Sequence, residues 1–163
     1  MNIKMIACIG RNNELGVKNQ LIWRFREDMQ FFRKYTEDKV VVMGRKTYDS
    51  LPHKPLPNRE NVVITHNPYC IQDKDVIVCT GIDEVFELYG ETEDSVIIIG
   101  GETIYRQFLP YATELVLTEV NSDEPSADTF FPQFRNNFVK EKELLKTNGF
   151  VINKYVRTTG KSL

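Results

Sequence analysis

An α/β fold with a mostly parallel eight-stranded central sheet is what this chain predicts, on three observations. Eight short apolar, β-branched runs punctuate it: Lys4–Ile9, Val40–Met43, Asn61–Thr65, Val76–Cys79, Val96–Ile99, Leu115–Val120, Phe138–Leu145 and Phe150–Arg157. Each has the length and composition of a strand. Helical segments separate most of them, and alternating strands and helices favour parallel pairing through right-handed crossovers. Two runs, VVVM at Val40–Met43 and VIII at Val96–Ile99, are apolar throughout, as strands covered on both faces are. With 163 residues, the chain is expected to form a single domain with one substantial core.

In chain order, the first connection, Gly10–Ile22, is long and polar and is expected as an open loop, of the kind that serves as a lid or binding loop. Four flanking helices follow. The first runs from about Glu27 to Tyr35, and the second, Arg45–Leu51, follows Gly44. The third, Asp83–Leu88, is expected to open with Asp83 as N-cap. The fourth, Glu102–Leu109, follows Gly100-Gly101 and is stopped by Pro110. The last two strands, joined through Thr147-Asn148-Gly149, read as a C-terminal antiparallel hairpin.

Hydrophobic residues make up 41% of the chain and charged ones 27%, which excludes collagen-like and disordered classes. Lys and Arg number 21 against 23 Asp and Glu, a net charge of −2, so nothing suggests a nucleic-acid partner and any anion site must come from local placement. The cysteines Cys8, Cys70 and Cys79 lack CxxC spacing, and His53 and His66 are the only histidines. No metal site is expected; reduced thiols in a cytoplasmic protein are. The apolar run Met5–Ile9 is too short for a signal-peptide core or a membrane span.

VVVMGRKT (Val40–Thr47) and VIIIGGETIY (Val96–Tyr105) share an arrangement of buried strand, glycine and helix start. A helix N-terminus offers unpaired N–H groups to an anion, and glycine lets the backbone approach it. Two such turns at strand carboxyl ends could hold the two ends of one dinucleotide. Arg45 and Lys46 favour a 2′-phosphate, hence NADP over NAD, and Thr65 and His66 could flank it. Strand–Gly–helix turns are also generic packing joints, and the GxGxxG fingerprint is absent. Glu102 would repel phosphates, so its side chain is expected to turn away.

Read in order, these stretches resemble dihydrofolate reductase over essentially the whole chain. IACIGRNNELGVKNQLIW is similar to the family's first strand and mobile active-site loop, REDMQFFRKYT to its acid-bearing helix, and VVVMGRKTYDSL to its first cofactor turn. KPLPNRENVVIT resembles the segment with the substrate-carboxylate arginine. VIIIGGETIYRQFLP, LVLTEV and DTFFP complete the series. The resemblance implies NADPH-dependent reduction of dihydrofolate to tetrahydrofolate in one-carbon metabolism, by a protein that is usually monomeric and binds antifolate inhibitors.

It also implies roles. Asp28, five residues beyond Trp23, matches the family's buried acid. Helix geometry agrees, since Asp28, Phe32 and Tyr35 share one face while Glu27 lies about 100° away. Asp28 would bind the pterin, supported by Thr118, with Leu21 and Trp23 completing the catalytic surroundings. Met29, Phe32, Leu51 and Leu56 would flank the ring and benzoyl group. Carbonyls of Ile6 and Ile99 would reach the pterin amino group, with Ala7 and Tyr105 beside them. Arg59 would pair with the glutamate α-carboxylate, with Lys54 or Arg33 at the outer end. Ala7, Leu15, Gly16, Asn19 and Gln20 would surround the nicotinamide ribose and carboxamide. Gly44, Arg45, Lys46, Thr47, Ile64, Thr65 and His66 would take the adenosine side. Ile99, Gly100, Gly101, Glu102, Thr103, Ile104 and Tyr105 would line the pyrophosphate and nicotinamide. A cis Gly100–Gly101 peptide is expected.

The chain departs from the family pattern at Ile22 and Arg26, where prolines are usual. Losing both rings restores two N–H groups, and a more mobile loop or a helix extended backwards is expected. Two other readings stand beside this one. A riboflavin-pathway pyrimidine reductase has a related core but does not need Asp28, Phe32 and Arg59 together. A silent folate- or dinucleotide-binding protein would use the same groups without turnover.

Overall fold

The computed structural model describes residues 1–158. Its eleven strands are β1 (Asn2–Ile9), β2 (Glu14–Val17), β3 (Gln20–Leu21), β4 (Val40–Gly44), β5 (Glu60–Ile64), β6 (Val76–Cys79), β7 (Ser95–Gly100), β8 (Glu114–Val120), β9 (Thr129–Phe130), β10 (Phe138–Lys146) and β11 (Phe150–Arg157). The helices are α1 (Arg26–Thr36), α2 (Arg45–Ser50), α3 (Ile82–Tyr89) and α4 (Glu102–Phe108).

Eight strands form one sheet in the order β10-β11-β8-β1-β7-β4-β5-β6. Neighbours from β8 to β6 pair in parallel, whereas β11 is antiparallel to both β8 and β10. All eight expected strands are present, and the mixed character comes from the expected C-terminal hairpin. Side chains alternate across each strand, so the sheet divides the core into two layers. Met5, Val42, Ile98 and Leu115 lie in the layer with α3 and α4. Ile6, Val41, Met43, Ile97 and Val116 lie in the layer with Phe32 and Tyr35 of α1 and Tyr48 of α2. The runs Val41–Met43 and Val96–Ile98 are fully buried, as their uninterrupted hydrophobicity requires.

The structure corrects the sequence reading in two places. Gly10–Ile22 is not an open loop. β2 and β3 pair as a hairpin through Lys18 and Asn19, which adopt φ of 50° and 64°, the double left-handed turn that matches strand twist. β9 then adds to β2, giving a separate three-stranded sheet. Asp83 is not the cap of α3. Gly81 holds the N-cap position in extended backbone without a side-chain bond, and Glu84 accepts from the Thr80 N–H and hydroxyl instead. With no proline before the acid, α1 starts at Arg26, one residue ahead of the expected Glu27, after extended Phe25. No helix among the described residues is long and apolar enough to cross a membrane.

Candidate active site

Helix α1 crosses β8 from its carboxyl half, where Asp28 meets Thr118, to its start, where Tyr35 meets Glu114. Tyr35 donates to Glu114 Oε2 at 2.6 Å, and Phe32 and Tyr35 pack into the core layer below. The same face carries Asp28, half-buried, while Glu27 is exposed. Thr118 of β8, 2% exposed, donates its hydroxyl to Asp28 Oδ1 at 2.5 Å. Cys8 of β1 is the register partner of Thr118, and its thiol also serves as a donor to Asp28. Burial raises the Asp28 pKa above the ordinary carboxylate value, and the Thr118 and Cys8 donors work against that rise. Cys8 itself is pushed up to about 12, first by burial and then by the Asp28 charge. The result is a carboxylate held in place, with burial favouring its protonated form.

The walls around Asp28 are apolar. Trp23, Phe31, Phe32, Leu51, Leu56 and Ile99 are partly buried against Ile6 and its layer, while Leu21 and Met29 stand 58% and 53% exposed. At the outer end, Arg59 is fixed rather than neutralised. Its Nε donates to the Pro57 carbonyl and its Nη1 to Thr36 Oγ1, both at 2.9 Å. It makes no ion pair among the described residues. Burial and the nearby Arg33 charge lower its pKa, with the Glu37 charge working against them. Lys54 turns elsewhere, donating to the Asp49 carbonyl.

Asn61, 1% exposed, builds the loop that aims Leu56 and Arg59. Its side chain accepts from Leu56 N–H and donates to the carbonyls of Leu56 and Arg59. Nothing in the sequence marks it beyond its place at a strand start.

The two glycine turns stand side by side. β4 pairs with β7, shifting register so that Met43 faces Gly100, and α2 and α4 leave on opposite faces of the sheet. A Cβ on Gly44 would lie 3.2 Å from Ile104 Cγ1, and one on Gly101 would lie 3.5 Å from Thr47 Oγ1. The Gly100–Gly101 peptide is cis, as expected, and Gly100 has φ 124°. Arg45, Lys46 and His66 are exposed beside these turns, brought together because Gly44 pairs with Ile64. Arg45 pairs weakly with Asp49 at 3.5 Å. Glu102 turns along its own helix to Arg106 at 2.9 Å, away from the turn as expected.

A family model for dihydrofolate reductase matches residues 2–154. The chain belongs to the dihydrofolate reductase family. It is 40% identical over 137 residues to the dihydrofolate reductase of Buchnera aphidicola subsp. Schizaphis graminum, covering 83% of this chain and 82% of that one. It is 38% identical over 144 residues to the Neisseria gonorrhoeae dihydrofolate reductase, covering 88% and 86%. The fold is similar to a structure of Enterococcus faecalis dihydrofolate reductase complexed with NADP(H) and RAB-propyl. That match has a TM-score of 0.84 at 24% identity and covers 97% of both chains.

Of the expected pterin-side residues, Ile6, Trp23, Phe32, Leu51 and Leu56 share one core layer, and Asp28 is bonded to Thr118. Two expected residues are already engaged. The Thr65 hydroxyl accepts from Asn67 N–H at 3.1 Å, which turns it into the loop that begins after β5. The Ile6 carbonyl accepts from the Tyr105 hydroxyl at 2.7 Å. Tyr105 is buried against Phe131. Leu15 and Ala7 are buried, whereas Asn19 and Gln20 are exposed on the hairpin beside the site. Sequence reasoning missed Cys8 and Asn61 as neighbours of functional side chains, since only the strand register and loop geometry reveal them.

Proposed function

We propose that this chain is a dihydrofolate reductase that uses NADPH to reduce 7,8-dihydrofolate to tetrahydrofolate. The observation that carries the reading is the carboxylate of Asp28, drawn out of water by an apolar wall and gripped by Thr118. In this reading the two abutting glycine turns complete the site by holding the cofactor.

The residues fit the cofactor. Helix starts after Gly44 and Gly101 supply N–H groups for phosphate oxygens. Arg45, Lys46 and His66 supply positive charge where a 2′-phosphate would lie. Bound there, NADPH would supply the hydride. The protein's part is alignment and a local field. Asp28 accepts hydrogen bonds from the pterin amino group and ring nitrogen, and its negative charge favours the ring protonated at N5. Phe32, Leu51, Leu56 and Met29 exclude water from the ring and benzoyl group. Leu21 and Trp23 close over it and govern which water delivers the proton. Arg59, with Arg33 behind it, takes the glutamate carboxylate in a two-point grip. The remaining expected residues, from Leu15 and Gly16 to Thr103 and Ile104, surround the cofactor.

The working unit is a single-domain monomer of the cytoplasm, with small-molecule partners and antifolates as inhibitors, and with neither nucleic acid nor membrane involved. Loss of NADPH absorbance upon addition of dihydrofolate tests the activity. Turnover of a diaminopyrimidine precursor of riboflavin instead would favour the pyrimidine reductase. Tight NADPH binding without turnover of either would favour a silent binding protein.

A further inference from the structure

Glu14 is a carboxylate in a place where a strand ordinarily buries an apolar residue. It opens β2, is 2% exposed and faces no cation within ion-pair distance among the described residues. Its two oxygens serve two separate segments. Oε1 accepts from the Asn12 N–H at 2.8 Å within the active-site loop, and Oε2 accepts from the Glu124 N–H at 2.8 Å beyond the end of β8.

The carboxylate sits where Gly10 has no side chain. A Cβ on Gly10 would lie 2.4 Å from Glu14 Oε1, 2.4 Å from Trp23 Cη2 and 2.9 Å from the Ser122 carbonyl. Glu14, Trp23 and the segment 121–124 therefore meet over one glycine. Burial works to raise the Glu14 pKa, yet the backbone donors outweigh it and the net direction is down. The acid is thus charged in the folded protein.

One backbone bond joins the same two segments beside Gly10, from Arg11 N–H to the Ser122 carbonyl at 3.0 Å; the side-chain bonds between the loop and the chain after β8 act further out. Arg11 pairs with Asp123 at 2.9 Å on the surface, where water and salt weaken it. Asp128 accepts from Lys18 N–H at 2.8 Å and donates its own N–H to Gly16 O at 3.0 Å, which secures the hairpin tip. Among these side chains, Glu14 alone is buried at the base of the loop, next to Trp23.

We propose that Glu14 is a positioning residue whose carboxylate clasps the loop 10–22 to the segment 121–124 and so holds Trp23 over the nicotinamide end of the site. The inference rests on the reductase reading. Losing both charge-assisted bonds loosens the loop without touching Asp28, so alignment for hydride transfer suffers while the pterin pocket stays intact.

Glu14→Ala and Glu14→Gln, with Arg11→Ala as a surface control, provide the test. Single-turnover hydride transfer at saturating ligands should fall about tenfold or more in Glu14→Ala. NADPH should bind more weakly, while the Kd for dihydrofolate should change less than about twofold. Glu14→Gln keeps one accepting oxygen and should recover part of the loss; Arg11→Ala should behave as the wild type. Should the alanine variant fail to fold, the glutamine variant carries the measurement alone. Folded variants that transfer hydride at the wild-type rate would overturn the clasp. So would a loss that disappears on cooling well below Tm, because that marks a purely structural role. A wild-type protein unable to turn over dihydrofolate would instead defeat the functional reading. The clasp would then stand or fall on Trp23 fluorescence in the NADPH complex, and unchanged emission in Glu14→Ala would reject it.

Discussion

The acid pocket and the glycine turns solve opposite electrostatic problems with opposite materials. Around Asp28 the polar groups are side chains, namely one carboxylate with the Thr118 hydroxyl and the Cys8 thiol beside it. At Gly44 and Gly101 they are backbone N–H groups exposed by the absence of side chains. The pocket therefore breaks when a side chain is removed, and the turns break when one is added. Charge also runs differently: the pocket concentrates one negative charge in apolar surroundings, whereas the turns spread positive potential over dipoles and exposed cations.

The sharpest way to break this contrast is Asp28→Asn, which keeps shape and removes charge. The hydride step should fall on the order of 10²-fold or more at neutral pH, with NADPH affinity nearly unchanged, as read by single-turnover kinetics and NADPH titration. Wild-type activity in that variant would reject Asp28 as the acid. The same substitution should stabilise the unliganded protein. Because burial raises the Asp28 pKa, the folded state binds the proton more readily than the unfolded chain. The penalty for the charged form is absent below the unfolded pKa and complete above the folded one. The Asp28→Asn variant should thus melt higher than wild type at about pH 8, by a margin that shrinks towards about pH 4.

On the other side of the contrast, Gly100→Ala forces a side chain into φ 124°, which costs about 1–3 kcal/mol. NADPH binding should weaken about tenfold with dihydrofolate binding little changed, measured by fluorescence titration. Arg59→Lys keeps the charge but loses the planar two-point grip. KM for dihydrofolate should rise about tenfold at similar kcat, since the contact is the same in ground and transition states. Arg45→Ala should reduce the preference for NADPH over NADH by about fivefold to tenfold, an effect that added salt weakens. The smallest effect belongs to Thr118→Val. Removing the donor that opposes burial lifts the Asp28 pKa further, so the pH profile of hydride transfer should move to higher pH. An unmoved profile would detach Thr118 from the acid.

Much of this was legible before folding. The eight strands carry their own apolar, β-branched runs, and the two central ones announce burial on both faces by containing nothing polar. Asp28 could be chosen over Glu27 because it lies five residues beyond Trp23, as the acid of the family it resembles does, and helical periodicity agrees by placing it with Phe32 and Tyr35. The hairpin β2–β3 was illegible for a specific reason. Its turn uses Lys18 and Asn19 in the left-handed region, where Asn-Gly or Gly-Gly would have advertised it, and its strands are only four and two residues long. Capping at α3 misled because Glu84, one position further along, does from the side what Asp83 would do at the cap. Cys8 and Asn61 stayed hidden because their importance lies in which residue stands opposite, and register is a property of the assembled sheet.

The position of β11 has a bearing on how the pocket is made. Thr118 pairs with Ile152, so the wall behind the acid rests on a strand synthesised about thirty residues later. On the ribosome, β8 waits with one bare edge until Phe150–Arg157 has emerged and slid in beside it. A polypeptide cut short before that stretch would keep every ligand-facing residue discussed here. It would still lack the backing that holds Thr118 against Asp28, so ligand recognition in this molecule waits on a strand that itself touches no ligand.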